Sequence, residues 1–186
     1  MVSSHSIRTT IDADFQLVAA IATTLKADYA AAQEDPWLES PFAWLRSLPP
    51  ATKGSIGVQL VAGWCAAKGL DVSNSRDSEA DKIIAGLRIE VKFSLRWANG
   101  TYLFQQIRDQ NFEHVICLGL SPLEAHAWVV PKAVLVRYAT PQHTGRRGKD
   151  TLWLRVTPSA PHSWQSEFGG SLSEAFEVLK RAAKVR

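Results

Sequence analysis

Asp77-Ser-Glu-Ala-Asp-Lys-Ile-Ile-Ala-Gly-Leu-Arg-Ile-Glu-Val-Lys-Phe-Ser94 is the stretch from which the rest of the chain is read. Two apolar runs, Ile83-Ile84-Ala85 and Leu87 to Phe93, flank Gly86. That spacing predicts a tight β-hairpin. In the second run Leu87, Ile89, Val91 and Phe93 fall on one face, and Arg88, Glu90, Lys92 and Ser94 on the other, by the period of two. Asp81 opens the first strand and is placed to sit beside Glu90 and Lys92. Two carboxylates and an ammonium converging on a strand pair suit a divalent cation next to a phosphate.

Upstream, Lys53 to Gly69 reads as a helix with Ile56, Leu60, Val61, Trp64 and Cys65 as its apolar stripe and Gly69 as its stop. Leu70 to Val72 then begins a strand, and Ser73 to Ser78 is a polar loop. Downstream, Trp97 to Gly100 is a turn. Tyr102 to Asn111 is rich in amides and is expected to be a short helix, with Gln106 and Gln110 on one face. His114 to Leu120 is an uninterrupted apolar run typical of a buried central strand, and Ala125 to Val130 is its expected neighbour. Leu152 to Val156 reads as a strand, and Leu172 to Lys184 as a helix capped by Ser171. This order implies an α/β sandwich with a mixed sheet flanked by helices. Near the N-terminus, Asp12 to Gln33 reads as an amphipathic helix built on Phe15, Leu17, Val18, Ile21, Leu25 and Tyr29. A connector with two prolines follows, then a short helix over Phe42 to Leu48 that ends at Pro49-Pro50. Residues 1–50 are thus an N-terminal helical extension and 51–186 the core. The extension carries no catalytic signature, and dimerisation, DNA contact and packing stay open as its roles.

A chain of 186 residues is long enough for one domain with an appended element. Its charge is uneven. Residues 1–131 hold 11 Lys/Arg and 14 Asp/Glu, a net of −3, whereas residues 132–186 hold 10 and 4, a net of +6. A basic C-terminal third beside an acidic cluster suits a polyanion that is held and cut; the alternative is a solvated surface. Cys65 and Cys117 lie in apolar contexts without a C-x-x-C, so neither a zinc site nor a disulfide framework is implied. The five His show no ligand spacing. Neither a Gly-x-Ser-x-Gly elbow nor a phosphate-binding Gly-x-x-x-x-Gly-Lys-Ser/Thr loop is present, which argues against an α/β-hydrolase and an ATPase. No signal-peptide pattern or membrane-length apolar run is seen, and the expectation is a cytoplasmic protein without a membrane partner.

Over residues 54–132 this order and these residues resemble the PD-(D/E)XK nuclease superfamily, the fold of many restriction endonucleases. Asp81 matches the family's first acid, and Glu90-Val91-Lys92 its acid-x-Lys triplet. Ala80 stands where the family commonly has Pro. Val58 and Gln59 stand where many members carry a helix Glu, which leaves one or two metals open. The resemblance implies a restriction-endonuclease-like α/β/α sandwich with a central mixed sheet. It implies Mg²⁺, with Mn²⁺ as a substitute, held by Asp81, Glu90 and the Val91 carbonyl. Lys92 would act mainly by charge and positioning, because nearby carboxylates hold it as the ammonium. Gln59, Glu79, Ser94, Gln106 and Gln110 are candidate supporting residues. Arg96, Arg146, Arg147 and Lys149 are candidate contacts to double-stranded DNA, and Trp97 is a further surface candidate. The implied activity is that of a Mg²⁺-dependent type II restriction endonuclease, acting as a homodimer on a palindromic duplex site. The alternatives are a repair or recombination nuclease and a DNA-binding protein with a decayed site.

Overall fold

The computed structural model describes residues 13–29, 35–142 and 150–185. Two compact units divide the chain, Met1–Leu38 and Glu39–Arg186. The first holds helix α1 (Ala13–Tyr29), whose Phe15, Leu17, Val18, Ile21 and Leu25 are exposed. In the second, a 3-10 helix (Ala43–Ser47) precedes α2 (Pro50–Ala67). Strands β1 (Val72–Asn74), β2 (Lys82–Ile84) and β3 (Leu87–Leu95) follow. Then come β4 (Tyr102–Ile107), β5 (His114–Leu120) and β6 (Ala125–Pro131). The chain continues through α3 (Lys132–Tyr138), β7 (Thr140–Gln142) and β8 (Thr151–Val156). It closes with α4 (Ser163–Glu167), β9 (Gly169–Ser171) and α5 (Leu172–Lys184). None of the described helices is long and apolar enough to cross a membrane.

The expected hairpin forms. Ile84 pairs with Leu87, so the connection is the two residues Ala85 and Gly86, both at positive φ, 49° and 81°. Such a turn matches the right-handed twist of the flanking strands, and Gly86 enters it without steric cost. From β3 the main sheet grows in the order β1-β2-β3-β5-β6-β9. Pairing of β3 with β5 is parallel, and that of β5 with β6 antiparallel, which makes the sheet mixed. The uninterrupted apolar run of β5 is explained by burial on both faces.

One face of this sheet carries Ile84, Leu87, Ile89, Val91, Ile116 and Leu118. It packs on Val61 and Cys65 of α2 and on Ala175 and Leu179 of α5. Helix α2 starts at Pro50, three residues earlier than its amphipathic pattern suggests, because Pro at the first turn sacrifices no hydrogen bond. Its buried line is Gly57, Val61 and Cys65; Leu60, expected on the stripe, is exposed. Gly57 is where α2 comes closest to β3, since a Cβ there would overlap Phe93. Helix α5 begins as expected at Ser171, whose hydroxyl accepts from the Glu174 amide while Glu174 returns a bond to the Ser171 amide.

The other face differs from the expectation. Tyr102 to Ile107 is a strand, not a helix, and with β8 and β7 it forms a second sheet in the order β4-β8-β7. Tyr102, Phe104, Ile107, Leu154 and Leu135 of this layer pack on Val115, Cys117, Trp128 and Val130. The misreading has a physical origin. The β4–β8 register shifts between Phe104 and Ile107, with Gln106 at φ 55°. A bulge adds one residue to the strand, so buried positions jump by three instead of two and imitate helical spacing. The class is nonetheless mixed α/β with a central mixed sheet and flanking helices. The layer over the second face combines a small sheet with α3 and α4.

Replacing Gly57 with Ala pushes α2 off Phe93 and is expected to destabilise the fold by about 1–3 kcal/mol. Urea titration should show a lower midpoint with an unchanged slope.

Candidate active site

Asp81 directly precedes Lys82, whose pairing with Ile89 ends the hairpin register. The Asp81 amide donates to the Ile89 carbonyl at 2.9 Å, and its Oδ2 accepts from the Val91 amide at 2.8 Å. Backbone groups of β3 therefore hold the carboxylate. Glu90 and Lys92 point to the same face as Cys117, which lies beside Lys92 in the parallel register. Lys92 Nζ is 2.7 Å from Glu90 Oε1, and the two side chains retain only 20% and 8% of their exposure. The structure thus brings together Asp81, Glu90 and Lys92.

Burial pushes the Glu90 carboxyl above the ordinary glutamate range. The Asp81 carboxylate within hydrogen-bonding reach pushes the same way, and Lys92 opposes both. The Cys117 thiol next to them is raised far above the reactive range by burial, so it is a wall of the site and not a nucleophile. Among the described residues no three His, Cys, Asp or Glu side chains gather as a metal cage. Asp81 and Glu90 do fit Mg²⁺, which usually keeps several waters and takes only one or two protein carboxylates.

The supporting candidates have partners of their own. Ser94 Oγ donates to the Leu95 carbonyl and accepts from the Leu103 amide at 3.1 Å, so it pins β4 to β3. Glu79 Oε2 accepts from the Asn111 amide at 3.1 Å, and Gln110 Nε2 donates to the Ser78 carbonyl at 2.8 Å. Gln106 is exposed on the bulge; it shares no helix face with Gln110, because no helix is there. Gln59 is exposed on α2, the helix packed against the Ile89 and Val91 face, behind the sheet from the carboxylates. Arg96 pairs with Glu124 at 3.3 Å, beside the half-exposed Trp97. Arg146, Arg147 and Lys149 lie outside the described residues. His126 is structural: its Nδ1 meets the Tyr102 hydroxyl at 3.0 Å, and its ring stacks on Trp128.

Sequence reading missed Arg88. It shares the Glu90 face, and its guanidinium bridges Asp77 Oδ1 at 2.7 Å and the Asn111 carbonyl. Its amide donates to Glu113 at 2.8 Å. The segment 109–113 is thereby tied to the turn that leads into Asp81. The alternation along β3 had already put Arg88 on this face, but its partners come from distant parts of the chain.

The fold is similar to that of a nuclease of solved structure. The chain is similar to the bacterial homing endonuclease I-Ssp6803I, at 18% identity and a TM-score of 0.53, over 74% of this chain and 95% of that one. No protein-family description and no curated protein matches the sequence.

Because the folded state raises the Glu90 pKa, it holds that proton more tightly than the unfolded chain does. Stability then falls as pH rises through the interval between the unfolded and folded values, and the cost is fully present above it. Glu90→Gln is expected to be at least as stable as the wild type at neutral pH and to flatten stability across the mildly acidic range. Denaturation midpoints over a pH series check this; a variant less stable at every pH refutes it.

Proposed function

We propose that this protein is a Mg²⁺-dependent DNA endonuclease of the PD-(D/E)XK type that cuts a specific duplex sequence. The observation that carries the proposal is the convergence of Asp81, Glu90 and Lys92 on one hairpin face, in a fold shared with a nuclease. Asp81 and Glu90, with the Val91 carbonyl, would hold the cation, and Mn²⁺ would substitute. When bound, the cation supplies a water of lowered pKa and offsets charge at the phosphate. Lys92, paired with Glu90 at 2.7 Å, would position the attacking water and stabilise negative charge as it develops on the phosphate oxygens. Asp81, anchored by the Val91 and Ile89 main chain, gives the site its rigidity. The net +6 of residues 132–186 supplies the attraction for the DNA backbone.

The restriction reading adds a homodimer on a palindromic site, so that two copies cut the two strands. The structural neighbour favours a second reading, a homing endonuclease. Digestion of phage DNA with Mg²⁺ and mapping of the fragment ends separates them. Frequent fragments with common ends fit restriction, and one rare cut fits homing. Cutting of branched DNA alone fits repair, and binding without cutting fits a decayed site.

Asp81→Asn, Glu90→Gln and Lys92→Ala are each expected to lower the single-turnover cleavage rate on the order of a hundredfold or more, with DNA binding retained. Chelation by EDTA should stop wild-type cutting, and added Mg²⁺ should restore it. Full activity in the Lys92→Ala protein would refute the proposal.

A further inference from the structure

We infer that Lys92 is a built-in competitor for the cation: its ammonium and the divalent ion contend for the same carboxylate, so binding the ion exchanges Lys92 from Glu90 to the substrate phosphate. The inference rests on the cation-site reading above.

Three observations carry it. Glu90 Oε1 is taken by Lys92 Nζ at 2.7 Å, while the Glu90 side chain is 8% exposed and Asp81 lies against it. A buried carboxylate beside a half-buried one calls for a counter-charge, and Lys92 is a charge of the right sign at contact distance. Next, the surroundings of Lys92 offer little else. Cys117 stands beside it in the sheet as a buried neutral thiol, and Asp81, whose Oδ2 accepts from the Val91 amide, would itself be taken up by the cation. An ammonium released from Glu90 in such a place needs another anion, and a phosphate held at the site supplies one. Finally, the other cations near the hairpin are engaged elsewhere. Arg88 is tied to Asp77, and Lys82 Nζ donates to Asn74 Oδ1 at 2.6 Å. Neither competes for Glu90 in the observed arrangement.

A positioning role for Lys92 alone predicts no gain in cation affinity when its charge is removed. Competition predicts the opposite sign. Titration calorimetry with Ca²⁺ on the full chain, without DNA and at mildly alkaline pH so that Glu90 is ionised, measures it directly. Lys92→Met is expected to bind Ca²⁺ about tenfold tighter than the wild type, the scale on which one neighbouring charge shifts a carboxylate's affinity for a positive partner. Adding a short duplex should tighten Ca²⁺ binding in the wild type and much less in the variant. If circular dichroism shows Lys92→Met unfolded, Lys92→Gln, which is uncharged but still polar, serves instead. Wild-type binding with equal or weaker binding by the variant overturns this inference and leaves the cation site standing. No Ca²⁺ or Mn²⁺ binding by the wild type, or binding unchanged by Asp81→Asn, overturns the cation site and the inference with it.

Discussion

Asp81 and Val91 are joined by a bond between a side chain and a main-chain amide, and that bond exists only because β2 and β3 hold one register. The register is set by the turn at Ala85 and Gly86, where both residues adopt positive φ. A slip of one residue would turn Glu90 and Lys92 into the apolar layer against α2 and expose Ile89 and Val91. Ile84, Leu87, Ile89 and Val91 oppose that slip because all four are buried in the core beneath α2 and α5. The same apolar packing that stabilises the sheet therefore also aims its polar face.

That polar face is held at some cost. Glu90 ionises in a buried position beside a second carboxylate, and Lys92 offsets the penalty only in part. Buried ion pairs seldom add net stability, and a group whose pKa is raised in the folded state marks a place where stability yields to another demand. The surroundings reinforce this reading. Arg88, Asp77, Glu79 and Asn111 form a separate polar network that ties down the chain on either side of Asp81 and Glu90 without taking up the two carboxylates themselves.

The hairpin, the alternation along β3, the buried strands β5 and β6 and the cap of α5 were legible because each is written in local sequence with the right period or the right capping pair. Strand β4 was not. Its bulge at Gln105 and Gln106 turns a spacing of two into three, and its amides read as helical. What makes it a strand is pairing with β8, which lies some fifty residues further on. The partners of the supporting candidates were not legible either. Helical spacing suggests Gln110 and strand alternation suggests Ser94, whereas the hydrogen bonds of Gln110, Glu79 and Ser94 go to Ser78, Asn111 and Leu103, and Gln59 lies on the helix behind the sheet.

By itself the sequence determined that Glu90 and Lys92 share one face of a hairpin strand, since periodicity and a two-residue turn are local properties; the bond that holds Asp81 beside them is tertiary. Only the tertiary structure decided that a second sheet packs on Val115 and Cys117 of the same face, that Glu90 is largely buried, that Lys92 is paired with it and that Glu79 and Gln110 bond to Asn111 and Ser78. Burial and partner choice depend on which distant segments arrive over the strand, and no local pattern encodes that.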